Sequence, residues 1–452
     1  MHAVDRILLK KLKISSTFFN LGNKCLGFYK PFKKSKLILL QYFLLAKNYS
    51  LFSVEDGEGN DINQGTVLRN ICAILLKMIG LNRDPLNNQE VFEFCFREKS
   101  DMHMYTVRKL FWTAVSMDHK TSSLTGFMSN FSSNFINIYT DTLFPTALDA
   151  NLPKSKYNYN IEVGICDYLK SSVQVSIYFN RIIEDTSRIH NHLSLKKLLK
   201  DLNELSVVLK ENNCELKNMR KFDITNFTKE IEEVDYKDIN EDILKLSLIN
   251  FKILELNFLT LNLKISTLHG ILIFLEDKSV MADDFHNKRR VKKMITEMLI
   301  DSLVELSDIS HTYLNSEFKQ YILKLDFHLN RLVQLAVEKT CLIMASLALK
   351  TSFAVVDDNN KEAMSTRESV FYYCLLIMNE MGSLLFNSCG IKYYQGYKSL
   401  ITLRFVFKLL NYYPFDSTST AMIQFFMNFY NLLNQRVNSS DPETQKKISL
   451  LF

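Results

Sequence analysis

Two acidic pairs come nearest to a chemical signature. Asp283-Asp284 is followed by Phe285-His286-Asn287, and Asp357-Asp358 by Asn359-Asn360. Adjacent carboxylates of this kind can hold magnesium against a diphosphate, as all-α prenyl diphosphate enzymes require. Neither pair has a third carboxylate or a companion motif, so the chain is read as a non-enzyme and an all-α metal-dependent enzyme stays the weaker alternative. His190 and His192 are two residues apart. On a helix their rings point to different sides, and no third ligand is near, so a surface pair is expected rather than a metal site. The eight cysteines stand at 25, 72, 95, 166, 214, 341, 374 and 389, and no two make the C-x-x-C pair of a zinc cluster. Their scatter suggests reduced thiols in the cytosol or nucleus.

A third group of charges lies where apolar residues dominate: Arg83, Asp84, Arg108 and Asp118. Asp118 sits among Val115, Met117 and Leu124, so part of it is expected to be buried, and a buried carboxylate needs a partner. Arg108 is ten residues away on the same helix, roughly 15 Å at about 1.5 Å per residue, which is too far. Arg83 is the expected partner. No His, Cys or second carboxylate joins these charges at a catalytic spacing, so they read as stitches between helices.

Two helices must position them. From Gln64 to Ile79 the apolar residues Leu68, Ile71, Leu75 and Met78 recur at helical spacing, flanked by Val67, Ile74 and Ile79. Gly80 then suits a left-handed cap, Leu81 can pack back on the last turn, and Pro85 forbids continuation. A second helix runs from about Asp101 to Leu124, with Ser100 or Asp101 as N-cap and Met104, Val107, Phe111, Ala114, Val115 and Leu124 facing inward. Arg108 and Trp112 share a face and could stack.

This stretch resembles a family. Gly65 to Pro85, ending Gly80-Leu81-Asn82-Arg83-Asp84-Pro85, is similar to the helix and G-L-H-R-D segment of the fungal transcription-factor regulatory domain. That domain is the middle homology region of the fungal binuclear zinc-cluster regulators. Arg108-Lys109-Leu110-Phe111-Trp112, then Asp118, Ser122 or Ser123, and Gly126, resembles the R-x-L-F-W, D, S and G-R-P run that follows. Asn82 stands where the family has His, and Phe127-Met128 where it has Arg-Pro. Leu37 to Leu51 is similar to the helix just upstream, so the resemblance covers roughly residues 35 to 155. It carries a structural signature (Gly80, Leu81, Arg83, Asp84, Arg108, Phe111, Trp112, Asp118 and Gly126) and implies no catalytic residue.

The rest of the chain is read as more helix. Glycine, 12, and proline, 6, are scarce in 452 residues, which favours long helices. Residues 1–36 are basic, with interleaved Leu and Phe, and read as an amphipathic helix with a solvated lysine face; a DNA-contacting arm or a membrane-surface helix is the sharper alternative. Residues 53–64 read as a polar loop and 127–160 as an extended wrap. Helical spacing returns from Val163 to Leu209. Residues 211–240 read as an exposed connection with room for a short helix. Residues 241–275 are apolar nearly all round, which belongs in the middle of a bundle, and Gly270 would serve close packing or a bend. Further helices are expected at Val291–Leu306, Ser316–Leu349, 366–388, 395–411 and Thr418–Val437. Tyr393, Tyr394, Tyr397, Tyr412 and Tyr413 form an aromatic group fit for packing or a pocket. The longest apolar runs, Leu37–Ala46 and Cys341–Leu349, are too short to span a bilayer, and the chain starts without a signal peptide's apolar core.

The expectation is an all-α array of antiparallel helices without significant sheet, its signature part at 1–160 and the remainder at 161–452, continuous as one helical domain. A formal net charge of +6 does not demand nucleic acid. The resemblance implies a nuclear regulatory domain of an RNA polymerase II transcription factor, with homodimerisation, co-regulator contacts and, in some members, a small hydrophobic effector. It implies no cofactor in this chain, since the zinc cluster is absent, and no specific DNA binding by it alone. No membrane partner is expected. A helical scaffold that binds only proteins is the other reading.

Overall fold

The computed structural model describes residues 37–52, 62–81, 101–131 (except 127), 159–187, 195–221, 241–276, 285–314, 326–353 and 371–382 (except 380), with single residues at 21, 22, 24, 25, 152 and 322. The described residues are almost all helical, with no strand among them. They form α1 (Leu37–Phe52), α2 (Ile62–Ile79), α3 (Asp101–Thr125), α4 (Tyr159–Ser187) and α5 (Leu195–Glu211). A 3-10 turn (Leu216–Asn218) follows, then α6 (Glu241–Glu276), α7 (Phe285–Leu314) and α8 (Asp326–Phe353). Residues 371–379 are also helical. The all-α expectation is met.

The chain divides into two compact units, Met1–Val333 and Gln334–Phe452, the boundary falling inside α8. In the first, α1 packs on α2, α2 on α3, and α3 on both α4 and α6. Helix α6 also packs against α4, α5 and α7. In the second, Val337, Cys341, Met344 and Ala348 of α8 are buried, as are Phe371, Cys374 and Met378.

Helix α6 is the hub of the first unit, as its all-round apolarity predicts. From Asn250 to Leu263 every residue is buried. The window Ile243–Leu275 is long and apolar enough to cross a bilayer, a length that reading single uninterrupted runs misses. Protein buries 67% of its 18-residue apolar window, and the helix carries Lys252 and Glu255 in ion pairs, so it is accounted for as a core helix. Gly270 lies exposed in unbroken helix with open space where a Cβ would stand, so it serves neither close packing nor a bend.

Neighbouring helices do not all alternate in direction. Tyr105, Ser116 and His119 of α3 meet Glu162, Ser172 and Ser176 of α4 in the same order, so these two run parallel. Gly164 and Tyr168 of α4 likewise meet Leu248 and Glu255 of α6. Helix α5 provides the return, its Lys197 ion-paired at 2.6 Å with Asp185 near the end of α4. The helical spacing of Val163–Leu209 is thus two helices, and His190 and His192 between them lie outside the described residues.

On α2 the buried positions are Leu68, Arg69, Cys72, Ala73, Leu75, Leu76 and Ile79. Met78, part of the apolar stripe read from sequence, and Val67 and Ile74 beside it are exposed at 51%, 55% and 47%. Apolar residues stand on both sides of this helix, so periodicity alone could not fix the inner face.

Candidate functional site

The signature stretch folds around two helix ends. At the end of α2, Gly80 is left-handed at φ 78°. Its N–H donates to the Lys77 carbonyl (3.1 Å), and that of Leu81 to the Leu76 carbonyl (3.0 Å). This is the paired-bond C-cap foreseen from Gly-Leu, with Leu81 buried in the same core as Leu76. At the end of α3, Gly126 is left-handed at φ 76° and its N–H donates to the Ser122 carbonyl at 2.8 Å. Phe111 and Trp112 meet edge to face at 4.8 Å, and Phe131 closes on Phe111 at 6.4 Å. Arg108 is buried on the same helix. Arg83 and Asp84 lie outside the described residues.

Asp118 is buried, as expected, and Arg69 of α2 stands beside it; Arg83, the partner expected from sequence, lies outside the described residues. The Arg69 Nε stands 3.3 Å from Asp118 Oδ1, a charge contact rather than an aligned hydrogen bond. The guanidinium donates to Ser122 Oγ (3.0 Å) and to the Met128 carbonyl (3.2 Å). Asp118 also accepts from Ser129 Oγ (2.5 Å), the Asn130 N–H (2.8 Å) and Asn130 Nδ2 (2.8 Å). One carboxylate therefore joins α2 to α3 and folds the segment leaving α3 back onto its own last turns.

The network continues through residues not singled out in the sequence. Lys47 of α1, buried, donates to the Met117 carbonyl (3.1 Å) and to Thr121 Oγ1 (2.6 Å). Burial, opposed in part by the nearby charge of Asp118, pushes its ammonium down to about 8. Cys72 beside it is pushed up to about 12 by burial. His119 is fully buried, with Nδ1 2.9 Å from Ser176 Oγ and Nε2 3.2 Å from the Phe131 carbonyl. A carbonyl can only accept, so Nε2 carries the proton. Burial holds the ring's pKa below its ordinary value, favouring the neutral form.

A second knot joins three helices. Lys120 of α3 and Tyr168 of α4 both donate to Glu255 Oε2 of α6, each at 2.7 Å, and Lys120 also bonds the Tyr168 hydroxyl. At the starts of α3 and α4, Tyr105 and Lys109 donate to Glu162 Oε2 at 2.5 and 2.6 Å. Burial first, then these carboxylates, raises the pKa of Tyr105 and Tyr168.

The shifted groups named here move toward their neutral forms because they are buried. His119 and Ser176 hold the atoms of a nucleophile–base pair, but both are fully covered and Ser176 Oγ also lies 3.0 Å from the Val173 carbonyl. Among the described residues no group of three or more His, Cys, Asp or Glu could hold a metal ion. The acidic pairs at 283–284 and 357–358 and the tyrosines from 393 to 413 lie outside the described residues. The signal for Lys47 and Arg69 was present in the sequence: each is a lone cation on an otherwise apolar helical stripe.

One pocket of about 540 Å³ opens between α4, the segment after α5, and α6. Leu246, Ile249 and Ile253 line it, with Lys252, bonded at 2.7 Å to Asp167. Lys217 and Arg220, both exposed, also line it.

The fold defines the class as an all-α helical array. Comparisons with protein-family models, curated proteins and solved structures found no match.

Proposed function

We propose that this chain is the regulatory, middle-homology domain of a fungal zinc-cluster RNA polymerase II transcription factor, acting in the nucleus. The observation that supports the reading is the contact of the two resembling segments, where Arg69 of α2 meets Asp118 and Ser122 of α3. Gly80 and Leu81 cap α2, Phe111 and Trp112 fill the core beside it, and Asp118, Ser122 and Gly126 organise the end of α3. In this reading zinc and DNA recognition belong to a separate segment, and this domain controls activity through dimerisation, co-regulators and a small effector.

The deciding experiment is to read the coding sequence upstream of Met1. An in-frame six-cysteine cluster, continuous with this chain in the transcript, is expected. A transcript without it, together with no effect on a reporter when the chain is fused to a foreign DNA-binding domain, overturns the reading.

A helical scaffold that binds only proteins is the second reading. It is favoured by the exposed Val67, Ile74 and Met78 on α2 and Ile38 and Leu45 on α1. A thermal-shift screen with lipophilic small molecules separates the two. A ligand specific for the folded state raises the melting temperature, and a scaffold without a cavity responds to none.

A further inference from the structure

The segment after α5 is fastened at several points, more than a connection between two helices needs. Asn213 takes a left-handed φ of 54°, and Cys214 donates its N–H to the Leu209 carbonyl at 2.8 Å, which ends α5 sharply. Two asparagines of α6, both buried, then hold the segment. Asn257 Nδ2 donates to the Cys214 carbonyl at 2.7 Å. Asn250 grips the backbone of Arg220 on both sides, accepting from its N–H at 3.2 Å and donating to its carbonyl at 2.8 Å. Between these clamps the 3-10 turn carries Lys217, and Arg220 follows it.

The fastened segment faces the 540 Å³ pocket, a volume in the range that holds small metabolites. Among the described residues three cations line it, Lys217, Arg220 and Lys252, against one carboxylate, Asp167, already matched by Lys252 at 2.7 Å. Lys217 is 3.1 Å from Glu215 in a largely exposed pair. Arg220 has no ion pair among the described residues. Asn212, Asn213 and Asn218 add carboxamides, which donate to and accept from hydroxyl groups. A guanidinium and an ammonium lining one pocket form a donor set for a phosphate oxyanion, since the guanidinium fork binds two oxygens at once. The amides suit hydroxyls on the same molecule, and Leu246, Ile249 and Ile253 suit its carbon face.

We infer that this pocket is a binding site for a small phosphate monoester with a hydroxyl-bearing body, held at its phosphate by Arg220 and Lys217. The clamps made by Asn250 and Asn257 fix the backbone before the ligand arrives, so little ordering is left to do on binding. The inference stands apart from the regulatory reading, because a site of this chemistry can serve a regulator or a scaffold equally.

Calorimetry on the full chain tests it with four probes: inorganic phosphate, glucose 6-phosphate, adenosine monophosphate and glucose. Saturable binding of at least one phosphomonoester is expected at a Kd of about 1 mM or tighter, weaker binding of inorganic phosphate, and none of glucose. Whichever monoester binds names the body, sugar or nucleoside. Lys217→Gln with Arg220→Gln should weaken that binding at least about tenfold, the loss of charge-assisted hydrogen bonds. Both side chains are exposed, so the circular dichroism spectrum and melting temperature should be those of the wild type. No saturable binding of either monoester, glucose binding as well as its phosphate, or unchanged affinity in the folded double variant overturns the inference.

Discussion

At the scale of single residues, the first unit depends on charges that have no water to fall back on. Asp118 has Arg69 on one side and three donors from Ser129 and Asn130 on the other. Removing it leaves the guanidinium buried without its counter-charge and releases the segment it folds back. Asp118→Ala should therefore cost about 3–5 kcal/mol by urea denaturation, and adding Arg69→Met should recover part of the loss. Two fully additive losses would show that the pair is not coupled. Lys47 makes a separate, pH-dependent statement. Its folded pKa of about 8 lies below the ordinary 10.5, so between those values the unfolded chain binds the proton more tightly. Stability from this group is complete above 10.5 and is lost as pH falls toward 8. Lys47→Met lacks that dependence, so wild-type minus variant stability should grow by about 2–3 kcal/mol between pH 8 and pH 10. Cys72, shifted up to about 12, works in the opposite direction above its ordinary value of 9. It is present in both proteins, so its contribution largely cancels in the difference. A flat difference across that window would mean that the Lys47 ammonium is hydrated.

At the scale of elements, three glycines that look alike in the sequence should behave differently. Gly80 and Gly126 hold φ of 78° and 76° at helix ends, and any side chain there must enter the left-handed region. Gly80→Ala and Gly126→Ala should each destabilise by about 1–2 kcal/mol. Gly270 sits inside α6 with nothing within 4 Å of the position a methyl group would take, so Gly270→Ala should stabilise by about 0.5–1 kcal/mol. Thermal melts of the three variants check both signs. Gly80 was readable beforehand because its conformation depends on its immediate neighbours, Leu81 and the apolar turn before it. The central place of α6 was readable for a similar reason, since apolarity on all sides demands cover on all sides. The inner face of α2 was not, because Val67, Ile74 and Met78 make a second apolar stripe that competes with Leu68, Leu75 and Leu76. Arg69 stood out only as a lone cation on an apolar stripe; its pairing with Asp118, 49 positions further along the chain, was not readable. No pattern inside α3 or α4 records that they run parallel.

At the scale of the whole first unit, the question is whether the helices open one by one or together. Helix α6 touches α3, α4, α5 and α7, and Glu255 is where three of these helices exchange hydrogen bonds. A helix so placed cannot leave without exposing its neighbours' inner faces, so its amides should exchange with solvent only through global unfolding. The amides of α3 and α4 that face it should fall in the same slow class. Glu255→Ala removes the acceptor shared by Lys120 and Tyr168, leaving a nearly buried ammonium unmatched, and should cost about 3 kcal/mol. If α3, α4 and α6 form one cooperative body, native-state hydrogen exchange of the variant will show all three losing protection by that same free energy. Loss confined to α6 would instead divide the unit into separately opening parts and would make Glu255 a local fastening. Such a division would also bear on the proposed regulatory role. A signal received at α2 can reach α7 through packing only if the helices between them respond as one.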